Sequence, residues 1–182
     1  MVPSASSLSP LHLAAVSISE ADYVALNFRL WRARPRTRLN HWILGAAVGL
    51  LALKVGLEVY QNGQFPSSSS LILLAVAVLY ALLRFGLVRY QLRRGYARNT
   101  AAHQPTDFTL TDTEISGRNT LGQFSGKWGL IRRAVWVQPD WLLLYPTETA
   151  CYYLNMRCLQ APATPAMVAQ LLTQHHIAQH RV

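Results

Sequence analysis

Residues 42–60, WILGAAVGLLALKVGLEVY, and residues 71–90, LILLAVAVLYALLRFGLVRY, decide the fold of this 182-residue chain. At ~1.5 Å rise per residue the first run is about 28 Å long as a helix, close to the ~30 Å hydrocarbon core of a bilayer. A helix also satisfies its own backbone hydrogen bonds there. The linker 61–70 is uncharged and carries Asn62-Gly63, Phe65-Pro66 and a run of serines, turn chemistry long enough only to reverse direction. The pattern predicts a transmembrane hairpin. With about forty residues given to the bilayer, the rest has room for one small folded domain plus short helices and tails.

Charge supports this reading by its position. The chain has 17 Lys and Arg against 8 Asp and Glu, a net +9. Arg29, Arg32, Arg34, Arg36 and Arg38 precede the first run, and Arg84, Arg89, Arg93, Arg94 and Arg98 end or follow the second. From residue 99 onward the balance is six basic residues against five acidic, too little for the concentrated basic face that a nucleic-acid duplex requires. The linker between the runs has no Lys or Arg, so the positive-inside rule predicts both termini in the cytoplasm. Residues 1–33 offer no basic n-region or apolar h-region, and no cleaved signal is expected.

Gly45, Gly49, Ala52 and Gly56 recur at helical spacing on one face of the first run, and Ala77 and Ala81 offer a complementary strip on the second. Small residues at such spacing let helices approach closely, either within one hairpin or between two copies of the chain. Lys54 and Glu58 fall in the outer half of the first run, where they can pair or reach the far interface. Arg84 lies about 9 Å from the cytoplasmic end of the second, so no polar relay is expected to cross the bilayer.

Before the hairpin, residues 1–18 read as a flexible Ser- and Pro-rich start with a short alternating stretch, 11–18, that could form a strand. Residues 19–40 read as an amphipathic helix and a polybasic segment. Ser19-Glu20-Ala21-Asp22 supplies a helix start, Tyr23, Leu26 and Leu30 share a face, and Pro35 stops the helix. Trp31 and Trp42 bracket the arginines at expected headgroup level. Trp31, Arg32, Arg34, Arg36, Arg38, Trp42, Arg84, Arg89, Arg93 and Arg94 are therefore candidate contacts to the membrane interface. Anionic lipid attraction of ~1 kcal/mol per nearby arginine and a plain topology signal both account for them.

Residues 41–98 form the hairpin with its basic exit, the runs spanning about 42–60 and 70–90, and 99–182 form the folded domain. Strands are predicted at 107–110, 113–116, 121–125, 134–138, 141–145 and 149–154. A helix at 165–177 follows, with Thr164 as N-cap and Pro165 at its first position. The expected fold class is an α+β membrane protein: a two-helix hairpin plus a small, bent antiparallel sheet capped by a C-terminal helix. Arg118, Arg132 and Arg133 are candidate partner-binding residues on that sheet.

The order of these features resembles the YcxB-like family, small bacterial membrane proteins in which two spans precede a pleckstrin-homology-like domain. The resemblance runs over residues 17–177 and is carried by Asp22-Tyr23, Trp128-Gly129-Leu130-Ile131 and Leu142-Leu143-Leu144-Tyr145-Pro146. Where the family has an isoleucine-proline-basic step, this chain has Leu154-Asn155-Met156-Arg157-Cys158 and keeps only the basic residue. The resemblance implies a PH-like domain at the cytoplasmic face of a bacterial inner membrane.

Motifs for catalysis are sparse. His175, His176 and His180 would put an i, i+4 pair on a helix end, but no carboxylate or cysteine is near in sequence, and helix-dipole or water contacts are the expected role. Cys151 and Cys158 are not spaced as CxxC and read as reduced, half-buried thiols. Gly126-Lys127 lacks the remaining residues of a phosphate-binding loop, and Ser125 sits in no nucleophile elbow. No cofactor or metal is expected. The sequence thus predicts a non-enzymatic membrane protein that binds the lipid bilayer and a protein or lipid partner, with self-association as an option. Two alternatives stay open: an oligomeric transporter lined by Lys54, Glu58 or Arg84, and a membrane-bound enzyme using Asp107, Asp112, Glu148 and histidines.

Overall fold

The computed structural model describes residues 9–62, 68–148 and 150–182. Most of the expected flexible start, Gly63, Phe65 and Pro66 of the expected turn, and Thr149 of the expected sixth strand lie outside the described residues. In chain order the elements are β1 (Leu11–Val16), α1 (Glu20–Ala33), α2 (Pro35–Asn62), α3 (Ser68–Arg98), β2 (Thr106–Leu110), β3 (Glu114–Asn119) and β4 (Gly122–Lys127). They continue as β5 (Arg133–Val137), β6 (Trp141–Tyr145), β7 (Tyr152–Asn155), α4 (Pro165–Gln174) and β8 (Ala178–Arg181). This α+β chain divides into two compact units, Met1–Asp22 with Arg98–Val182, and Tyr23–Ala97.

The first unit is built on two four-stranded sheets, ordered β1-β2-β3-β4 and β7-β6-β5-β8. Alternation between core and surface shapes the first two strands: β2 buries Thr106, Phe108 and Leu110, and β1 buries Leu11, Leu13 and Val16. These side chains join Ile115, Leu142, Leu144 and Leu154 in one core, against which α4 lays Val168, Leu171 and Leu172. Thr164 caps α4 by accepting a hydrogen bond from the Met167 amide at 3.4 Å, and Pro165 needs no amide donor at the helix start. β6 has no exposed residue, which explains its unbroken apolar reading.

Three findings depart from the sequence reading. First, β1 is no separate arm. It pairs antiparallel with β2, from Leu11 opposite Leu110 to Val16 opposite Thr106, so the whole helical unit is inserted in a β1–β2 connection. A bulge between Leu13 and Val16 puts Ala15 at φ 50°, and Asp107 Oδ1 accepts its amide at 2.7 Å. Second, the C-terminal helix ends at Gln174 rather than 177; His176 takes φ 55°, and the chain returns as β8, parallel to β5. The second sheet is therefore mixed while the first is purely antiparallel, and His180 lies in a strand instead of sharing a helix face with His176. Burial of Ile177 in the core, at 6 % exposure, accounts for the turn.

Third, the helices of the second unit are longer than the apolar runs. Pro35 does end α1, but it also opens α2 at a position where its missing amide costs nothing, so Arg36, Arg38 and Trp42 ride on the long helix. α3 likewise continues through the basic exit to Arg98. α2 and α3 are antiparallel: His41 meets Phe85 at one end and Glu58 meets Ser70 at the other. Their less exposed residues alternate by three and four, His41, Leu44, Val48, Leu51 and Val55 on α2 and Leu74, Ala77, Ala81, Arg84 and Val88 on α3. Ala77 and Ala81 are on this row, but the small-residue stripe of α2 lies off it. A Cβ added at Gly45, Gly49 or Gly56 would meet nothing within 4 Å, and Ala52 is exposed. Leu and Val fill a seam at ordinary helix spacing, where glycines would leave it empty.

Because β1 supplies Leu11, Leu13 and Val16 to the core, its loss removes about 5–9 kcal/mol at ~1.5–3 kcal/mol per side chain, comparable to a whole domain's stability. A fragment of residues 99–182 is expected to lack a cooperative thermal transition by circular dichroism. Joining residues 9–18 to 99–182 through a short flexible linker is expected to restore it.

Candidate functional site

Four aromatic side chains of the helical unit, Phe28, Trp31, His41 and Phe85, gather at one end of its helices. Ser19 caps α1, its Oγ accepting the Asp22 amide at 3.1 Å, and α1 buries Leu26. One turn on, Phe28 and Trp31 lie side by side, ring centroids 5.4 Å apart. Trp31 presents an edge-on contact to Phe85 of α3 at 6.1 Å and to His41 of α2 at 5.2 Å. His41 stacks on Phe85 at 5.3 Å and 9°. The guanidinium of Arg84 lies 5.7 Å over the Trp31 ring, and that of Arg89 lies 5.1 Å over Phe28. Three helices thus meet in an aromatic cluster overlaid by two arginines.

The electrostatics of this unit are one-sided. Tyr23–Ala97 contains ten basic residues and one acidic residue, Glu58, whereas the other unit has seven of each. All of the +9 therefore belongs to the helical unit. Glu58 is engaged elsewhere, 3.4 Å from Lys54 and accepting the Ser70 hydroxyl at 3.0 Å. It sits 17 positions along α2 from His41, about 25 Å at helical rise, and leaves the Arg84 cluster without a carboxylate from its own unit. Of the remaining predicted interface residues, Arg32, Arg34, Arg36, Arg38, Arg93 and Arg94 are exposed and Trp42 is 79 % exposed. Trp31, Arg84 and Arg89 are among the predicted interface residues; Phe28, His41 and Phe85 are not, and their only local signal is aromatic spacing beside arginines.

Two clefts lie among the described residues of the β unit. One, of about 340 Å³, opens beside Phe108, Phe124, Tyr152 and Cys151, with Gln104, Thr106 and Asn119 as polar lining. Phe124 stacks on Tyr152 at 5.0 Å and 7°, and Phe108 stands edge-on to both. This stack joins β4 to β7 across the two sheets. It depends on Gly117, since a Cβ there would collide with the Phe124 ring. Burial pushes the Cys151 thiol above its ordinary pKa, partly offset by hydrogen bonds with Tyr153 and Tyr145 and by the Arg133 charge. The second cleft, of about 530 Å³, lies between the β5–β6 turn, the start of α4 and the end of β8, lined by Trp136, Trp141, Ala166, Asp140 and Arg181.

The candidate partner-binding arginines are spread over different sheets. Arg118 is on β3 opposite Asp107, Arg132 is 3.9 Å from Glu148, and the Arg133 guanidinium covers the Tyr145 ring at 4.5 Å. Asp140 pairs with Arg157 at 2.5 Å. Asp107, Glu148 and the histidines are likewise placed in separate structural roles: Asp107 holds the β1 bulge, and His175 stacks on Trp128 at 5.4 Å. Among the described residues no group of three His, Cys, Asp or Glu side chains could hold a metal ion. Comparison of the chain with protein-family models, curated proteins and solved structures finds no match.

Two substitutions test this geometry. Gly117→Ala is expected to displace Phe124 and lower the unfolding midpoint of the full-length protein, by the equivalent of about 1–3 kcal/mol. Nε2 of His41 is buried without a hydrogen-bond partner among the described residues. His41→Phe keeps a ring against Phe85 and removes that polar atom, so the protein is expected to gain about 1 kcal/mol, whereas His41→Ala loses stability through the cavity it leaves.

Proposed function

We propose that this chain is a membrane-anchored, non-enzymatic binding protein that holds a small pleckstrin-like domain at the cytoplasmic face for a protein or lipid partner. The observation that carries the reading is the state of α2 and α3. Both are long and apolar enough to cross a membrane, and none of their apolar windows is buried. Leu50, Leu53, Leu79, Leu82 and Leu83 are each more than half exposed, a surface that water does not tolerate and lipid covers. The arginines bracket these helices on one side, which favours both termini in the cytoplasm.

The topology supports a pleckstrin-like domain. A four-stranded antiparallel meander, β1 to β4, is followed by a three-stranded one, β5 to β7, and a C-terminal helix, with β8 added. The resemblance to the YcxB-like family points the same way and favours a bacterial inner membrane. Binding rather than catalysis fits a β unit in which Asp107 is taken up by a bulge and Asp140 and Glu148 by ion pairs. Leu121 and Leu130, 64 % and 62 % exposed, are two large apolar side chains this unit offers to a partner.

Topology and partner binding are tested together in a chain with Cys151 and Cys158 replaced by Ser. In intact cells a membrane-impermeant maleimide is expected to label Tyr60→Cys and to reach Leu121→Cys only after lysis. A photo-crosslinking residue at Leu130 is expected to give a discrete adduct in membranes. Recovery of the protein in an alkaline carbonate supernatant, or labelling of Leu121→Cys in intact cells, would overturn the reading.

A further inference from the structure

The helical unit contains nine positive charges in excess, and two of its arginines, Arg84 and Arg89, lie over aromatic rings. Arg32, Arg34, Arg36 and Arg38 are exposed along α1 and the start of α2, as a topology signal requires. Arg84 instead lies within the apolar part of α3, on the half-buried row facing α2, with its guanidinium over Trp31. Arg89 lies over Phe28, the ring next to Trp31. A guanidinium over an aromatic face is held by that face and keeps its N–H fork for an anion, a geometry that suits phosphate and that a lysine ammonium cannot copy. Neither arginine has a carboxylate partner among the described residues.

We infer that the Arg84–Trp31 and Arg89–Phe28 pairs form a binding site for the phosphate of an anionic phospholipid. The inference rests on the membrane reading above, which surrounds α3 with lipid. The aromatic cluster gives the site its rigidity, with His41 and Phe85 stacked behind Trp31. Charge selects the occupant: the unit's single carboxylate is paired with Lys54 at the other end of α2, and the ligand must supply the missing negative charge in an apolar setting. A headgroup phosphate, anchored by acyl chains along the exposed leucines of α3, does so. A free phosphate ion would have to leave water to reach the same place.

The test uses the full-length protein in detergent micelles, with native mass spectrometry in an equimolar mixture of phosphatidylglycerol and phosphatidylcholine. Wild type is expected to retain phosphatidylglycerol preferentially, and Arg84→Gln to lose about tenfold or more of that retention. Arg84→Lys conserves the charge and is expected to lose retention as well, whereas Arg98→Gln, the same charge change outside the cluster, is expected to keep it. If Arg84→Gln does not assemble, Arg89→Gln reads the second fork with the same expectation. Equal loss in Arg98→Gln, full retention in Arg84→Lys, or a phosphate adduct with no lipid preference would overturn the site. A detergent-requiring protein without preference for phosphatidylglycerol overturns this inference alone. A chain that purifies as a soluble protein without detergent overturns the membrane reading and the site with it.

Discussion

Pairing between β1 and β2 is the constraint on which the rest of this structure depends. It joins residues about ninety positions apart in the chain, from Leu11 opposite Leu110 to Val16 opposite Thr106, across an entire helical unit. Closing so long a loop is entropically costlier than closing a tight hairpin, although the cost rises only logarithmically with length, and the insertion is therefore thermodynamically tolerable. What offsets it is burial. Leu11, Leu13 and Val16 complete a core that the remaining strands of the first sheet cannot close, and Gln160 donates its amide to the His12 carbonyl at 2.9 Å to tie this strand to the second sheet. The chain passes between the β unit and the helical unit twice, at Asp22–Tyr23 and at Ala97–Arg98.

That arrangement separates the tasks of the two units. The β unit has balanced charge, a shared core and its cations committed locally, as with Arg157 on Asp140 and Arg133 over Tyr145. The helical unit has the whole net charge and a surface of exposed leucines. Exposed apolar side chains and clustered arginines are the two properties that suit the acyl chains and the phosphates of a bilayer. Arg84 is the residue where the two meet, since it is both within the apolar stretch of α3 and over an aromatic ring.

Legibility in the sequence varied with the range of the interaction that decides each feature. Strands β2, β3 and β6 and the start of α4 were readable, because alternation and an N-cap are local signals. β8 was not, because residues 178–181 are exposed throughout and become a strand only by pairing with β5. The glycine stripe lies off the hairpin seam for a related reason: its spacing is helical and local, but which helix face meets α3 is settled by the competing row of Leu and Val. Within the candidate site, Arg84, Arg89 and Trp31 stood out by type and position, while His41 and Phe85 joined them only through the antiparallel contact of α2 and α3.

By itself the sequence determined that the chain has two long apolar helices, where its positive charge lies, and which residues alternate between core and surface. Those properties follow from hydrophobic periodicity and composition, which act over one or two turns or strands. Only the tertiary structure decided that β1 belongs to the first sheet, that the tail returns as a parallel strand, that Gly117 makes room for Phe124, and that two arginines lie over aromatic rings of another helix. Each of these is a contact between residues distant in sequence, and its free energy comes from burial and pairing that exist only once the partners are brought together.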